Sequence, residues 1–189
     1  KNNLIKEPLK RIEIGIVKKP DTLENQAKHS YLAIGSNLGN KISNINLAKF
    51  ELEKNKIKIL KTSSFYLSKS WPNPLMPSFI NIVVKVETNF APLELLNVCN
   101  LIELKLGRSR TIKNAPRTCD IDIIDYDNKV LNLDNKRLII PHPRMSIRNF
   151  VLLPLFEIDK KWKHSKSKVN IVNLVNALSI KDLRSIKQI

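Results

Sequence analysis

At 189 residues and 21.7 kDa the chain is long enough for one well-buried core and short for two. Hydrophobic residues at 42%, charged at 26% and aromatic at 6% exclude a disordered or fibrous chain. No apolar run reaches the roughly 18 residues of a membrane span; the best candidate, Phe150 to Ile158, is broken by Pro154 and Glu157. The net charge of +16 favours an anionic partner: nucleic acid, a membrane surface or a phosphorylated small molecule. Much of that charge is lysine, and 25 Lys, 24 Ile and 21 Asn share A/T-rich codons, so genome bias on a solvated surface accounts for part of it. Arginine is scarcer, yet six of the eight (Arg108, Arg110, Arg117, Arg137, Arg144, Arg148) fall within 41 consecutive positions. A guanidinium grips phosphate or carboxylate bidentately, which an ammonium cannot copy.

In chain order, Lys10 to Lys18 alternates as a half-buried strand, with Ile12, Ile14 and Ile16 on one face, and Pro20 ends it. Polar residues from Lys19 to His29 form a linker, so residues 1–29 are read as an extension with one strand and 30–189 as the main domain. Tyr31 to Ile34 is a strand that runs into the turn Gly35-Ser36-Asn37-Leu38-Gly39-Asn40. A helix follows to about Lys54 on the spacing of Ile42, Ile45, Ala48 and Leu52. Ile57 to Leu67 reads as strand, Ser68 to Pro77 as a proline-rich loop, and Phe79 to Thr88 as strand. Pro92 opens a second helix, Leu93 to Leu104 sustain its apolar side, and Gly107 stops it. Cys119 to Tyr126 is a strand joined by an Asp127-Asn128 hairpin turn to Lys129 to Leu133, and Ile171 to Leu178 suggests a last helix. Strands, two long helices and hairpins give an α+β class, ferredoxin-like α/β/α with a mostly antiparallel sheet.

The spacing of Asp120 and Asp122 sends both carboxylates to one strand face, while Cys119, Ile121 and Ile123 turn away. Two such carboxylates suit a cation with oxygen ligands, Mg²⁺ in particular, although a solvated strand face gives the same pattern. Arginines on both sides complete the parts needed for phosphoryl-type transfer, and the chain has no Walker A motif. Phe79 and Asn81 share a strand face, so with Phe150 and the Trp71 loop they can read a flat heterocycle; a core Phe and a satisfied Asn are the alternative. Cys99 and Cys119 have no metal or disulfide spacing and read as buried thiols in a reducing, cytoplasmic setting. There is no signal-peptide pattern, and a first residue Lys1 rather than Met reads as a chain that is trimmed, processed or part of something longer.

The run Lys113-Asn114-Ala115-Pro116-Arg117-Thr118-Cys119-Asp120-Ile121-Asp122-Ile123-Ile124 resembles the signature of the 6-hydroxymethyl-7,8-dihydropterin pyrophosphokinases, folate-pathway enzymes. Tyr31 to Gly39, Phe79 to Thr88, and Pro141-His142-Pro143 through Phe150 to Glu157 agree in order and spacing. The resemblance implies transfer of the β,γ-diphosphate of ATP to the pterin hydroxymethyl oxygen, with AMP released and two Mg²⁺ ions bridged by Asp120 and Asp122. It assigns Arg108 and Arg117 to charge on the transferring group. Arg110, His142 and Arg148 fall to the ATP phosphates, and Glu103, Ile123, Leu138 and Ile139 to the nucleoside. Phe79 and Phe150 would sandwich the pterin, Asn81 would bond its edge, and Ser68 and Trp71 would add contacts. The partners implied are ATP and hydroxymethyl-dihydropterin, with no nucleic acid and no membrane.

The chain departs from the family pattern at two loops. The loop before Arg117 is one residue shorter and has Asn114 and Ala115 where the family often carries Arg-Trp; Lys69 and Ser70 replace Thr and Pro residues of the first substrate loop. Lys10 to Pro20 resembles the final strand of dihydroneopterin aldolase, which implies a fused or neighbouring folate-pathway enzyme; a plain extension is the alternative. Two other functions stand beside the enzyme: a basic nucleic-acid-binding module on the same fold, and an inactive remnant.

Overall fold

The computed structural model describes residues 27–70, 73–108, 115–133, 135 and 137–189. The strand expected at Lys10 to Lys18, and the site residues Trp71 and Arg110, lie outside the described residues.

Strand β1 (Lys28–Ser36) is the spine of the sheet, flanked by β4 (Phe79–Thr88) and β5 (Asp120–Tyr126), both antiparallel to it. Beyond β4 lie β2 (Lys58–Thr62) and β3 (Tyr66–Ser68), and a C-terminal strand pairs with β3 at the edge. The single strand expected over Ile57 to Leu67 is thus two, separated at Ser63 to Phe65, where the Ser63 hydroxyl accepts from Val83 N–H.

Alternation along these strands sorts the side chains into two cores. Leu32, Ile34, Ile82, Val84, Ile121 and Ile123 face helices α1 (Lys41–Lys54) and α2 (Pro92–Lys105). Asn40 caps α1 by accepting from Ser43 N–H, after Gly39 supplies a positive φ of 66°. The α1 face is Ile45, Ala48 and Leu52, and a Lys105–Glu51 ion pair of 2.7 Å ties the two helices. Pro92 sits in the first turn of α2, and Glu94 accepts from Ala91 N–H at 2.8 Å.

Residue 124 is extra in the β1–β5 pairing: Leu32 opposes Ile123 but Tyr31 opposes Asp125. Ile124 joins Tyr31, Val83 and Met145 in the second core, under α3 (Asn149–Ile158) and α4 (Ile171–Asn176). The apolar run that Pro154 interrupts in sequence is a helix with the proline inside it, held by burial of Val151, Leu152, Leu155 and Ile158.

The expected hairpin from β5 is corrected. Asp127 and Asn128 do turn, with φ of 52° and 54°, but β6 (Leu131–Leu133) pairs with β7 (Leu138–Ile140) in a separate two-stranded sheet. The returning chain uses β5 instead, with His142 N–H donating to Ile124 O at 2.9 Å. After α4 come α5 (Ile180–Arg184) and the edge strand β8 (Ile186–Gln188). The result is a ferredoxin-like α/β/α layering on a mostly antiparallel sheet. Among the described residues no helix is long and apolar enough to cross a membrane.

Candidate active site

The ends of β1, β4 and β5 that carry Gly35, Phe79 and Asp120 meet on the α3 side of the sheet. There a cavity with about 420 Å³ of open space brings together eight expected residues: Ser68, Phe79, Asn81 and Phe150 on one side, Arg117, Asp120, Asp122 and Arg148 on the other. Lys69 completes the lining and also faces an adjoining cleft that shares Ser68, Arg148 and Phe150.

The two aspartates point into this cavity because they are two apart on β5, and the intervening Ile121 is buried in the α1/α2 core. Each is met by its own arginine. Arg108 Nη1 donates to Asp120 Oδ1 at 2.6 Å, and Arg148 Nη1 to Asp122 Oδ2 at 3.0 Å. Burial, then the neighbouring Asp122, push the Asp120 carboxyl above its ordinary range, while Arg117 and Arg108 pull the other way. His142 Nε2 lies 3.8 Å from Asp122 and 3.5 Å from Arg148 Nη1; burial, with Arg148 and Arg144 nearby, keeps its pKa below that of a free imidazole against the pull of Asp122.

The arginines also cover the aromatic rings. Arg117 Cζ is 5.7 Å from the Phe79 ring centroid and Arg148 Cζ is 5.5 Å from that of Phe150. Yet the Nε–H groups of Arg117 and Arg148 are both buried and make no hydrogen bond among the described residues, the Arg117 one standing 3.7 Å from Asp120 Oδ2. Buried donors in a cavity lacking their acceptors are complementary to an anion.

The amide of Asn81 is fixed by donating to Ser68 Oγ at 2.9 Å. Its partner across the ladder, Gly35, has no side chain to hold Asn81 and Phe79 off β1: a Cβ there would stand 2.9 Å from Asn81 Oδ1. The sequence reading placed Gly35 in a turn, whereas β1 continues through it. Asn37 was missed likewise. Only 2% exposed, it accepts from Arg117 N–H at 2.7 Å, donates its own N–H to Arg117 O, and reaches Pro77 O with its amide. The spacing of a Gly-Ser-Asn turn gives no signal for this bridge between two loops.

Glu103, Ile123, Leu138 and Ile139 do not line this cavity. Glu103 is buried behind β5, where it accepts from Ile121 N–H at 2.7 Å and pairs with Arg108. Ile123 and Leu138 are core residues and Ile139 is half-buried on β7.

The donor set fits a hard cation: two carboxylates share one face, and among the described residues no three His, Cys, Asp or Glu side chains are arranged to cage a metal by themselves. Mg²⁺ is bound in this way, by one or two carboxylates with water and substrate phosphates making up the shell.

The family described as 7,8-dihydro-6-hydroxymethylpterin-pyrophosphokinase (HPPK) matches residues 31–160. A 2-amino-4-hydroxy-6-hydroxymethyldihydropteridine pyrophosphokinase of Haemophilus influenzae is 40% identical over 130 residues, 68% of this chain and 80% of that protein. The folic acid synthesis protein fol1 of Pneumocystis carinii is 38% identical over 170 residues, 90% of this chain but 22% of its own length. A crystal structure of Plasmodium falciparum HPPK-DHPS, wild type with pteroate, superposes with a TM-score of 0.68 at 17% identity, covering 87% of this chain and 46% of that one. The chain therefore spans about a fifth of the fungal protein and just under half of the Plasmodium chain.

Proposed function

We propose, from the premise that this chain belongs to the 7,8-dihydro-6-hydroxymethylpterin-pyrophosphokinase family, that it transfers diphosphate from ATP to 6-hydroxymethyl-7,8-dihydropterin. The observation that carries this reading is the pair of buried guanidiniums, Arg117 and Arg148, each with an Nε–H that makes no hydrogen bond among the described residues, beside two carboxylates in one cavity with two phenylalanines.

In the reaction the pterin hydroxymethyl oxygen attacks the β-phosphorus of ATP. A new O–P bond forms, the bond between the β-phosphorus and the oxygen bridging to the α-phosphate breaks, AMP leaves with that electron pair, and the hydroxyl proton is released. Asp120 and Asp122 would hold Mg²⁺, two ions by family resemblance, and the metal supplies neutralisation of phosphate charge. Arg117 and Arg148 turn their free Nε–H groups to phosphate oxygens, with Arg108 holding Asp120 in place. Phe79 and Phe150 receive the pterin ring. Asn81, oriented by Ser68, meets its edge, and Gly35 lets Asn81 and Phe79 sit close against β1. His142 and Arg110 belong with the ATP phosphates, and Glu103, Ile123, Leu138 and Ile139 with the nucleoside side of β5 and β7; Trp71 adds to the pterin contacts.

The buried free thiols Cys99 and Cys119, the latter pushed by burial up to about 12, suit a reducing cytoplasmic compartment. A fused or neighbouring folate-pathway enzyme is the protein partner this reading favours, in keeping with the two-part names of longer relatives. The nucleic-acid-binding alternative is disfavoured by Asp120 and Asp122 on the face where a polyanion would lie. Incubation with ATP, Mg²⁺ and the pterin tests the proposal. AMP and pterin diphosphate in equal amounts are expected. Formation of ADP, or no AMP above a control lacking pterin, would overturn it.

A further inference from the structure

At the opposite end of the same sheet face, β1, β4 and β5 wall a second cavity with about 960 Å³ of open space, and it shares no lining residue with the candidate active site. Tyr31 and Asp125 form its floor, and the chain from Lys161 to Lys168, beyond α3, forms its rim.

Every carboxylate here is already answered. Asp159 accepts from Tyr31 Oη at 2.5 Å and lies 3.9 Å from Lys85 Nζ. Asp125 accepts from Trp162 Nε1 at 3.2 Å and from Asn128 N–H at 3.1 Å. Asp127 faces Lys28 and Lys129 at 4.0 and 3.7 Å.

Lys85 is paired in this way, but three other lining cations are not. Lys161, Lys163 and Lys168 line the cavity with no ion-pair partner among the described residues. Ser165, between Lys163 and Lys168 in sequence, is 3% exposed and its hydroxyl finds no hydrogen-bond partner among the described residues. A buried hydroxyl without a partner is costly, and a ligand acceptor recovers that cost. The unanswered groups are therefore three ammoniums and one hydroxyl, all of which can donate to an anion. Ammoniums are compact charges with three rotatable donors, suited to phosphate. A concave cavity takes a small molecule in preference to a polymer backbone.

We propose that this cavity is a second anion site, which binds a phosphate dianion, free or esterified on a small molecule, through Lys161, Lys163, Lys168 and the Ser165 hydroxyl. It is separate from the diphosphate-transfer site and does not depend on the assignment of that site.

Trp162 reports the site directly, because its indole N–H bonds Asp125 in the floor. The chain has two tryptophans, so a Trp71→Phe variant identifies the Trp162 indole signal in a proton–nitrogen NMR spectrum. Titration with inorganic phosphate, and separately with glycerol 3-phosphate, is expected to shift that signal saturably, in wild type and in Arg148→Ala alike. The stronger of the two ligands identifies the free or the esterified source. Lys163→Glu/Lys168→Glu is expected to abolish saturation, and Ser165→Ala to weaken binding about fivefold to tenfold with the rest of the spectrum unchanged. A shift that sodium chloride reproduces at equal ionic strength, or one lost in Arg148→Ala and kept in the lysine variant, would overturn the proposal.

Discussion

Gly35 and Asn81 stand directly opposite each other across the β1–β4 ladder, and a Cβ on Gly35 would lie 2.9 Å from Asn81 Oδ1 and 3.4 Å from Phe79 Cδ1. The amide cannot retreat freely, since it is 6% exposed and held by Ser68. Gly35→Ala is therefore expected to displace the two residues assigned to the pterin while the sheet persists, at an overpacking cost of about 1–3 kcal/mol. Calorimetric titration is expected to show pterin affinity down by about tenfold, with an ATP analogue bound as before. Equal loss of both ligands would contradict the assignment of Asn81 and Phe79 to the pterin.

Asn37 acts at a distance from the ligands, by joining the loop before β5 to the loop before Phe79. Its side chain accepts from Arg117 N–H and donates to Pro77 O. Asn37→Ala leaves both loop groups without that partner, and a loss of about 1–3 kcal/mol in chemical denaturation is expected. Turnover is expected to fall more than stability explains, because Arg117 keeps only the backbone bond from residue 37 to its carbonyl and loses the one to its N–H. Asn37→Asp keeps the acceptor for Arg117 N–H and loses the donor to Pro77, so its activity is expected to lie between the two.

Asp125 gives a pH dependence with a defined sign. Burial pushes its carboxyl up to about 6, against the hydrogen bonds from Asn128 and Trp162. The folded state then holds a proton that the unfolded state has released between about pH 4 and pH 6. Stability from this residue is accordingly highest below pH 4, falls as pH rises to about 6, and is flat above, a total of about 2–3 kcal/mol. Measured against Asp125→Asn, whose site does not titrate, the wild type is expected to lose stability across that window. A constant difference from pH 4 to 7 would contradict the shift.

Much of the site was legible in the sequence because it obeys simple periods. Asp120 and Asp122 alternate with Ile121 and Ile123, and that alternation placed two carboxylates in the cavity and two isoleucines in the core. Phe79 and Asn81 followed the same rule on β4. Tertiary effects were not legible. The extra residue at Ile124 turns both Ile124 and Asp125 toward the α3 side, which no local pattern announces. Asp127-Asn128 has the chemistry of a hairpin turn, but the β5 carbonyl of Ile124 is taken by His142, so β6 found its partner in β7. The short helix around Pro154 is not read from the sequence, where the proline serves only to break a membrane span; burial of its neighbours sustains it. Gly35 reads as a turn residue because its use, the close approach of Asn81 and Phe79, is visible only once β4 lies beside it.

The account rests above all on Asp122, which pairs with Arg148 and faces the same cavity as Asp120. Asp122→Asn keeps the size of the side chain and removes its charge, so the fold and the aromatic pocket are expected to persist. The most direct measurement is a single-turnover experiment following AMP with saturating ATP, Mg²⁺ and hydroxymethyl-dihydropterin. The expected result is a rate lower by about a hundred- to a thousandfold, with pterin affinity unchanged within a few-fold. A rate within about threefold of wild type would contradict the role of the paired aspartates in diphosphate transfer.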